Sequence, residues 1–192
     1  MDATSVESAV KAKGFAWFEN GDFNLNIVGF RSPGNTVTNL FDDKLTVTYK
    51  ENGVVKFHEW TITTDPGKYF MQVKLGNPKG TAKLKSGQYR GVYQIGMHNG
   101  KYEALVQTGG KVTAWRDGDK DAIYDEEKTE TGYFGINIHK AGKSSSKVDN
   151  WSAGCQVFKN EADFNEFMEI VRKARKLWGN KFTYTLIDLD EK

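Results

Sequence analysis

Short apolar stretches, broken by turn-forming residues roughly every ten positions, set the tightest limit on what this chain can fold into. Asn24–Phe30 carries Leu25, Ile27 and Phe30. Leu45–Tyr49 and Val54–Thr63 flank Glu51-Asn52-Gly53, and Gln88–Met97 and Tyr102–Gln107 flank His98-Asn99-Gly100. Apolar runs around an Asn-Gly pair read as hairpins, because both turn residues must adopt positive φ. Val112–Arg116, Gly132–His139, Gly154–Phe158 and Phe182–Leu189 are further strand candidates. This rhythm belongs to a sandwich or a barrel.

Only one stretch carries a long helical period. Over Glu161–Trp178, Phe164, Phe167, Met168, Val171, Ala174, Leu177 and Trp178 fall on one stripe. Asn160 stands at the N-cap position, basic residues crowd the last turns, and Gly179 suits the stop. A shorter helix is expected over residues 4–12, capped by Thr4 or Ser5, with Val6, Ala9 and Val10 on one side and Gly14 ending it. No linker, repeat or low-complexity segment divides the 192 residues. The expectation is a mainly β, single-domain β-sandwich or barrel over residues 1–192, with one substantial C-terminal helix and a short N-terminal helix.

Lys and Arg number 27 against 25 Asp and Glu, a net charge of +2, which makes no electrostatic case for nucleic acid. One cysteine, Cys155, rules out an intrachain disulfide. No stretch nears the roughly 20 apolar residues of a membrane span. The start, MDATSVESAVKAKGF, has no basic segment leading into an apolar run, so a secretory signal is not expected. There is no P-loop or GxGxxG pattern, and the three histidines and one cysteine have no zinc spacing, so no cofactor is expected.

The informative stretch is GYFGINIHKAGKSSSKVDNWSAGCQVF, residues 132–158. An apolar strand delivers His139. A Gly/Ser-rich loop follows, and the turn Ser152-Ala153-Gly154 delivers Cys155 at the start of another strand. If the two strands are neighbours, the imidazole and the sulfur share a site. A nucleophilic cysteine needs such a base, because only the thiolate attacks and an ordinary thiol is mostly protonated at neutral pH. Main-chain N–H groups of Gly154 and Cys155 would hold the oxyanion of an acyl transfer. The backbone carbonyl near Lys140 or the Asn137 side chain would orient the base. His58, in a strand, and His98, in a turn, are weaker partners for the thiol. Against all this stands the plain alternative that Cys155 is a small buried apolar residue.

These residues resemble the active-site signature of the L,D-transpeptidase (YkuD-like) family: a histidine after a strand, a loop, then Ser/Thr-His-Gly-Cys. Here twelve residues separate His139 from Ser152-Ala153-Gly154-Cys155, and Ala153 stands where the family has histidine. Lys85-Ser86-Gly87-Gln88-Tyr89 is similar to the family's turn before a strand, without its Thr-Pro. The resemblance covers roughly residues 80–160 and is specific around the cysteine. It implies a β-rich fold and Cys155 as nucleophile, His139 as base, and Ser152 and Gly154 in the catalytic turn. It implies peptidoglycan stem peptide as substrate, with transpeptidation, carboxypeptidase or endopeptidase action as the outcome.

On the same reading Trp151, Asn150, Arg90 and Tyr93 are candidates for substrate contact: Trp151 by stacking, Asn150 by positioning the loop with Asp149, and Arg90 by holding a carboxylate. The expected setting is synthesis in the cytoplasm and action at the bacterial cell wall after release, or as part of a bacteriophage. A peptidoglycan-binding module without chemistry and a structural β-domain remain the alternatives. Asp117, Asp119 and Asp121 alternate as in part of a calcium loop, but the glycine is misplaced for an EF-hand and no Glu stands twelfth, so a solvated acidic loop is the expectation and no metal is assigned.

Overall fold

Eight of the apolar stretches pair edge to edge until the sheet closes on itself. The computed structural model describes residues 1–190. Its elements are α1 (Ala3–Ala12), β1 (Asn26–Arg31), β2 (Asp43–Glu51), β3 (Val54–Thr63), β4 (Thr81–Leu84), β5 (Gly87–His98), β6 (Tyr102–Gln107), β7 (Val112–Asp117), β8 (Thr129–Gly132), β9 (Ile138–Lys140), β10 (Gln156–Phe158), α2 (Glu161–Trp178) and β11 (Phe182–Asp188), with a single π-helical turn over Tyr69–Val73. The closed barrel runs β1-β11-β5-β6-β9-β10-β3-β2, and β4-β7-β8 form a separate three-stranded sheet. The molecule is mainly β, 39% strand against 18% helix.

Both Asn-Gly hairpins form as the sequence requires. Asn52 and Gly53 have φ of 52° and 75°, and Asn99 and Gly100 have 50° and 68°. The first joins β2 to β3 and the second β5 to β6. Closure needs two parallel contacts, β1 with β11 and β9 with β10. Such contacts need long crossovers. The second is made by the loop that separates His139 from Cys155.

The core joins Ile27, Leu45, Ile62, Leu105, Ile138 and Tyr184 from the barrel to Phe164, Phe167, Met168 and Val171 from α2. Phe167 is fully buried and packs its ring 5.1 Å from Phe158 and 6.0 Å from Trp60. The last turn of α2 departs from the expected stripe, since Leu177 and Trp178 are exposed. Trp178 instead donates its indole N–H to Asp22 O. Asn160 does not cap through a backbone bond; its amide donates to the Asp163 carboxylate. Helix α1 is capped by Asp2 rather than by Thr4 or Ser5. Its carboxylate accepts Ser5 N–H while Ser5 Oγ accepts Asp2 N–H, a reciprocal box. Val6 and Val10 bury this helix against Val28, Phe30 and Ile187.

Residues 132–139 are not one strand. The chain leaves β8 at Gly132, turns through Gly135 at φ 69°, and re-enters the sheet only at Ile138. The buried Gln107 side chain explains the break. Its Oε1 accepts both Phe134 and Ile136 N–H, and its Nε2 donates to Gly110 O and Gly132 O. One side-chain amide thus replaces the ladder that a continuous strand would have made. Strand β4 went unanticipated because Lys83 interrupts its four residues. That lysine is buried, pairs with Glu126 at 2.8 Å and lies over the Tyr124 ring.

Candidate active site

Strand register decides which side chains can meet here. Gln156 pairs with Ile138 and Val157 with His139. Ile138 and Phe158 point into the core. By alternation, Asn137, His139, Cys155 and Val157 share the opposite, outer face. Leu105 pairs with Ile138, and His98 with Tyr102 across β5 and β6. Counting along those ladders puts His98 and Tyr102 on the same outer face.

The contacts agree with that count. His139 is buried, and its ring stacks on His98 with centroids 4.0 Å apart. Its Nδ1 lies 2.8 Å from Lys140 O and 3.3 Å from Tyr102 Oη. A carbonyl can only accept, so Nδ1 carries the proton and Nε2 keeps the lone pair. Tyr102 Oη also donates to Lys140 O at 3.2 Å. Asn137 holds the second histidine. Its amide lies 3.1 Å from His98 Nδ1, and its Oδ1 accepts Gln107 N–H. Of the two proposed orienting groups, the Lys140 carbonyl is the one on His139, and the Asn137 side chain serves His98. Lys140 itself is tied to Glu161 at the start of α2.

Cys155 is partly exposed and flanks a small cluster of Phe41, Ala141, Val148 and Val157. Its Sγ accepts Asn137 N–H at 3.4 Å and donates to Gly135 O at 3.4 Å. Among the described residues no hydrogen bond joins it to His139. Burial pushes the thiol up to about 11, against the opposing Asn137 N–H. Burial, with His98 beside it, pushes the His139 imidazole down to about 3 despite the Lys140 carbonyl. Both groups therefore rest neutral at pH 7, and the site holds no thiolate–imidazolium pair.

The turn before the cysteine is built differently from the sequence expectation. Ser152 is fully buried and closes on backbone: its Oγ donates to Cys155 O and accepts Gly154 N–H. This makes Ser152 a positioning residue, and it removes the Gly154 N–H from any oxyanion site. The Cys155 N–H donates to no group among the described residues, so it alone of the two stays open. Gly154 is needed for another reason. Its φ is 119°, and an added Cβ would run into the Ala82 carbonyl oxygen.

Three of the four proposed substrate contacts need correction or refinement. Tyr93 is fully buried, edge-on to Tyr184, so it belongs to the core and cannot touch a substrate. Arg90 is exposed over the Phe18 ring, in a groove with Trp178 and Lys181 that includes neither His139 nor Cys155. Asn150 is exposed with no side-chain hydrogen bond among the described residues; the loop is held instead by Asp149, whose carboxylate and N–H both bond to the Asn39 side chain. Trp151 is 43% exposed and free to stack. In the turn at Lys85–Tyr89, Gln88 Nε2 donates to Ala16 O and Tyr89 Oη to Lys85 O.

A groove of about 390 Å³ opens at Ala153, lined by Lys79, Arg116, Glu130, Tyr133 and Phe134. His58 takes no part. It stacks between Tyr49 and Trp60 and faces Glu166 at 3.1 Å. Tyr102 went unnoticed in the sequence and His98 was set aside as a turn residue, whereas it ends β5 and stacks on His139; the signal for both is strand parity across the Asn99-Gly100 hairpin. Among the described residues no helix is long and apolar enough to cross a membrane. No family model, no curated protein and no solved structure matches this chain.

Proposed function

We propose that the protein is a cysteine-dependent acyl-transfer enzyme of L,D-transpeptidase type, acting on peptidoglycan stem peptides. One observation carries this reading. Cys155 and His139 share the outer barrel face, and the Lys140 carbonyl fixes His139 in the tautomer a base needs. With both groups neutral, the proton moves as the sulfur attacks. His139 Nε2 accepts the Sγ proton while Sγ bonds to the peptide carbonyl carbon. The oxyanion takes the Cys155 N–H. The amide C–N bond then breaks, and the departing amine leaves with the proton from the imidazolium. An amine acceptor or water cleaves the resulting thioester, giving a cross-link or a hydrolysed peptide.

The groove at Ala153 gives a peptide a polar and aromatic lining, with Glu130 paired to Lys79 and Arg116 beside two aromatic rings. Trp151 borders the cysteine turn and would stack on the substrate. The setting that goes with this reading is the bacterial cell wall, reached after release or as part of a bacteriophage.

The raised thiol and the missing Sγ–imidazole bond favour a second reading, a module of the same fold that binds cell-wall peptide without turnover. Incubation with purified muropeptides separates the two. The enzyme yields a new product that Cys155→Ala and His139→Ala each abolish. Product unchanged in either variant overturns the mechanism; sacculus binding that survives Cys155→Ala without any product establishes the module.

A further inference from the structure

Asp117 ends β7 and is only 2% exposed. Its Oδ2 accepts Asp125 N–H at 2.9 Å, whereas its Oδ1 is buried with no hydrogen-bond partner among the described residues. The contrast with Asp43, the other buried aspartate of this degree, is plain. Asp43 spends its oxygens on Ser32 N–H, Thr64 N–H and Thr64 Oγ–H. Buried carboxylate oxygens are normally satisfied, and an exception calls for an absent partner.

What surrounds Asp117 says what that partner is. One carboxylate oxygen from each of Asp117, Asp119 and Asp125 lies within 4.8 Å of the other two. Oxygens on one shell at 2.3–2.6 Å from a common centre are separated by no more than about 5 Å, so the three fit around one calcium-sized ion. The donors are all oxygen, which selects a hard cation over zinc or copper. Along the chain, Asp117, Asp119, Asp121, Ile123 and Asp125 alternate, the spacing at which a tight loop turns successive oxygens inward.

Both ends of this loop are anchored. Asp117 pairs with Thr81 across β4 and β7. Ile123 bridges Thr36, Tyr124 N–H donates to Asn35 O, and Tyr124 Oη donates to Pro66 O. Glu126 is withdrawn from the loop by Lys83. Three carboxylates held this close repel one another. A bound cation relieves that repulsion. The loop, expected from the sequence to be merely solvated, does not follow the EF-hand pattern, since Lys128 holds the twelfth place and a strand, not a helix, leads in.

We propose that Asp117, Asp119 and Asp125 form a calcium site that pins the loop after β7. Its job is structural, and it stands apart from Cys155 and from any reading of the chemistry there.

Calcium titrated into the metal-stripped full chain, followed by calorimetry and by thermal unfolding, tests this. We expect one saturable site filling below about 1 mM, the weak end of oxygen-ligand calcium sites, with a raised Tm that chelator reverses. Magnesium at equal concentration gives a smaller shift. Terbium in place of calcium gives luminescence sensitised by Trp115 and Tyr124 that calcium displaces. Asp117→Asn carries a risk of misfolding, so the two less buried ligands serve, Asp119 exposed and Asp125 half-buried: Asp119→Asn and Asp125→Asn each weaken binding about tenfold or more while the calcium-free Tm holds. Glu169→Gln, remote on α2, binds as the parent does. Absence of a saturable signal, or binding unchanged in both Asp119→Asn and Asp125→Asn, overturns the proposal.

Discussion

The Cys155 thiol sits where its chemistry depends on being deprotonated by something other than solvent. Burial holds it near 11, so alkylation by iodoacetamide is expected to be slow at pH 7 and to rise about tenfold per pH unit up to roughly pH 10. A plateau beginning near pH 6 would mean an ion pair with His139 and would contradict the neutral resting state. His139 has the complementary signature. Its folded pKa, about 3, lies below its ordinary 6.5. The unfolded chain therefore binds the extra proton first as pH falls, and stability declines from about pH 6.5 downward, by at most about 1.4 kcal/mol per pH unit for one proton. His139→Gln should lose part of that slope: its denaturant midpoint relative to the parent improves between pH 6.5 and pH 4. A constant difference across that range would refute the assignment. Gly154→Ala forces both a strained φ and a collision with the Ala82 carbonyl, so a loss of about 2–4 kcal/mol is expected in chemical denaturation.

At the level of elements, α2 does the most for the core. Phe167→Ala empties the space between Phe158 and Trp60 and is expected to cost about 3–5 kcal/mol, seen as a lower urea midpoint at unchanged slope. This helix was legible to the residue in the sequence, from Glu161 to Trp178, because a long amphipathic period has few competing explanations. Both Asn-Gly hairpins were equally plain, since their turns dictate register locally. Strands β8 and β9 were not, because what separates them is the Gln107 side chain, some 25 residues upstream of the break it creates. The candidate site shows the same division. Cys155, His139 and the Lys140 carbonyl lie close in sequence and were readable; His98 reaches them only after β5, β6 and β9 are laid side by side, which no local pattern encodes. Ser152 and Gly154 were placed in the right turn with the wrong duties, because a motif names residues and not the hydrogen bonds they spend.

Across the whole molecule, Arg31 fastens the barrel to the smaller sheet. Its guanidinium is buried, faces Asp65 at 2.9 Å and Asp188 at 3.0 Å, and donates to Thr64 O and Leu84 O. Replacement by Met strands Asp65 and two carbonyls, and a loss of about 3–5 kcal/mol is expected in the same denaturation assay. The barrel wall is uneven around its circumference. Strands β2 and β3 are paired along nine residues, whereas β9 and β10 have three residues each and β9 meets β6 through the single pair Leu105 and Ile138. A hoop gives way at its narrowest stave, so amide protons of Ile138 and Gln156 should exchange with deuterium well before those of Val47 and Trp60. The thiol hangs on that stave: the stretch most ready to part, and so to admit an extended chain beside the sulfur, is the clasp that closes the ring.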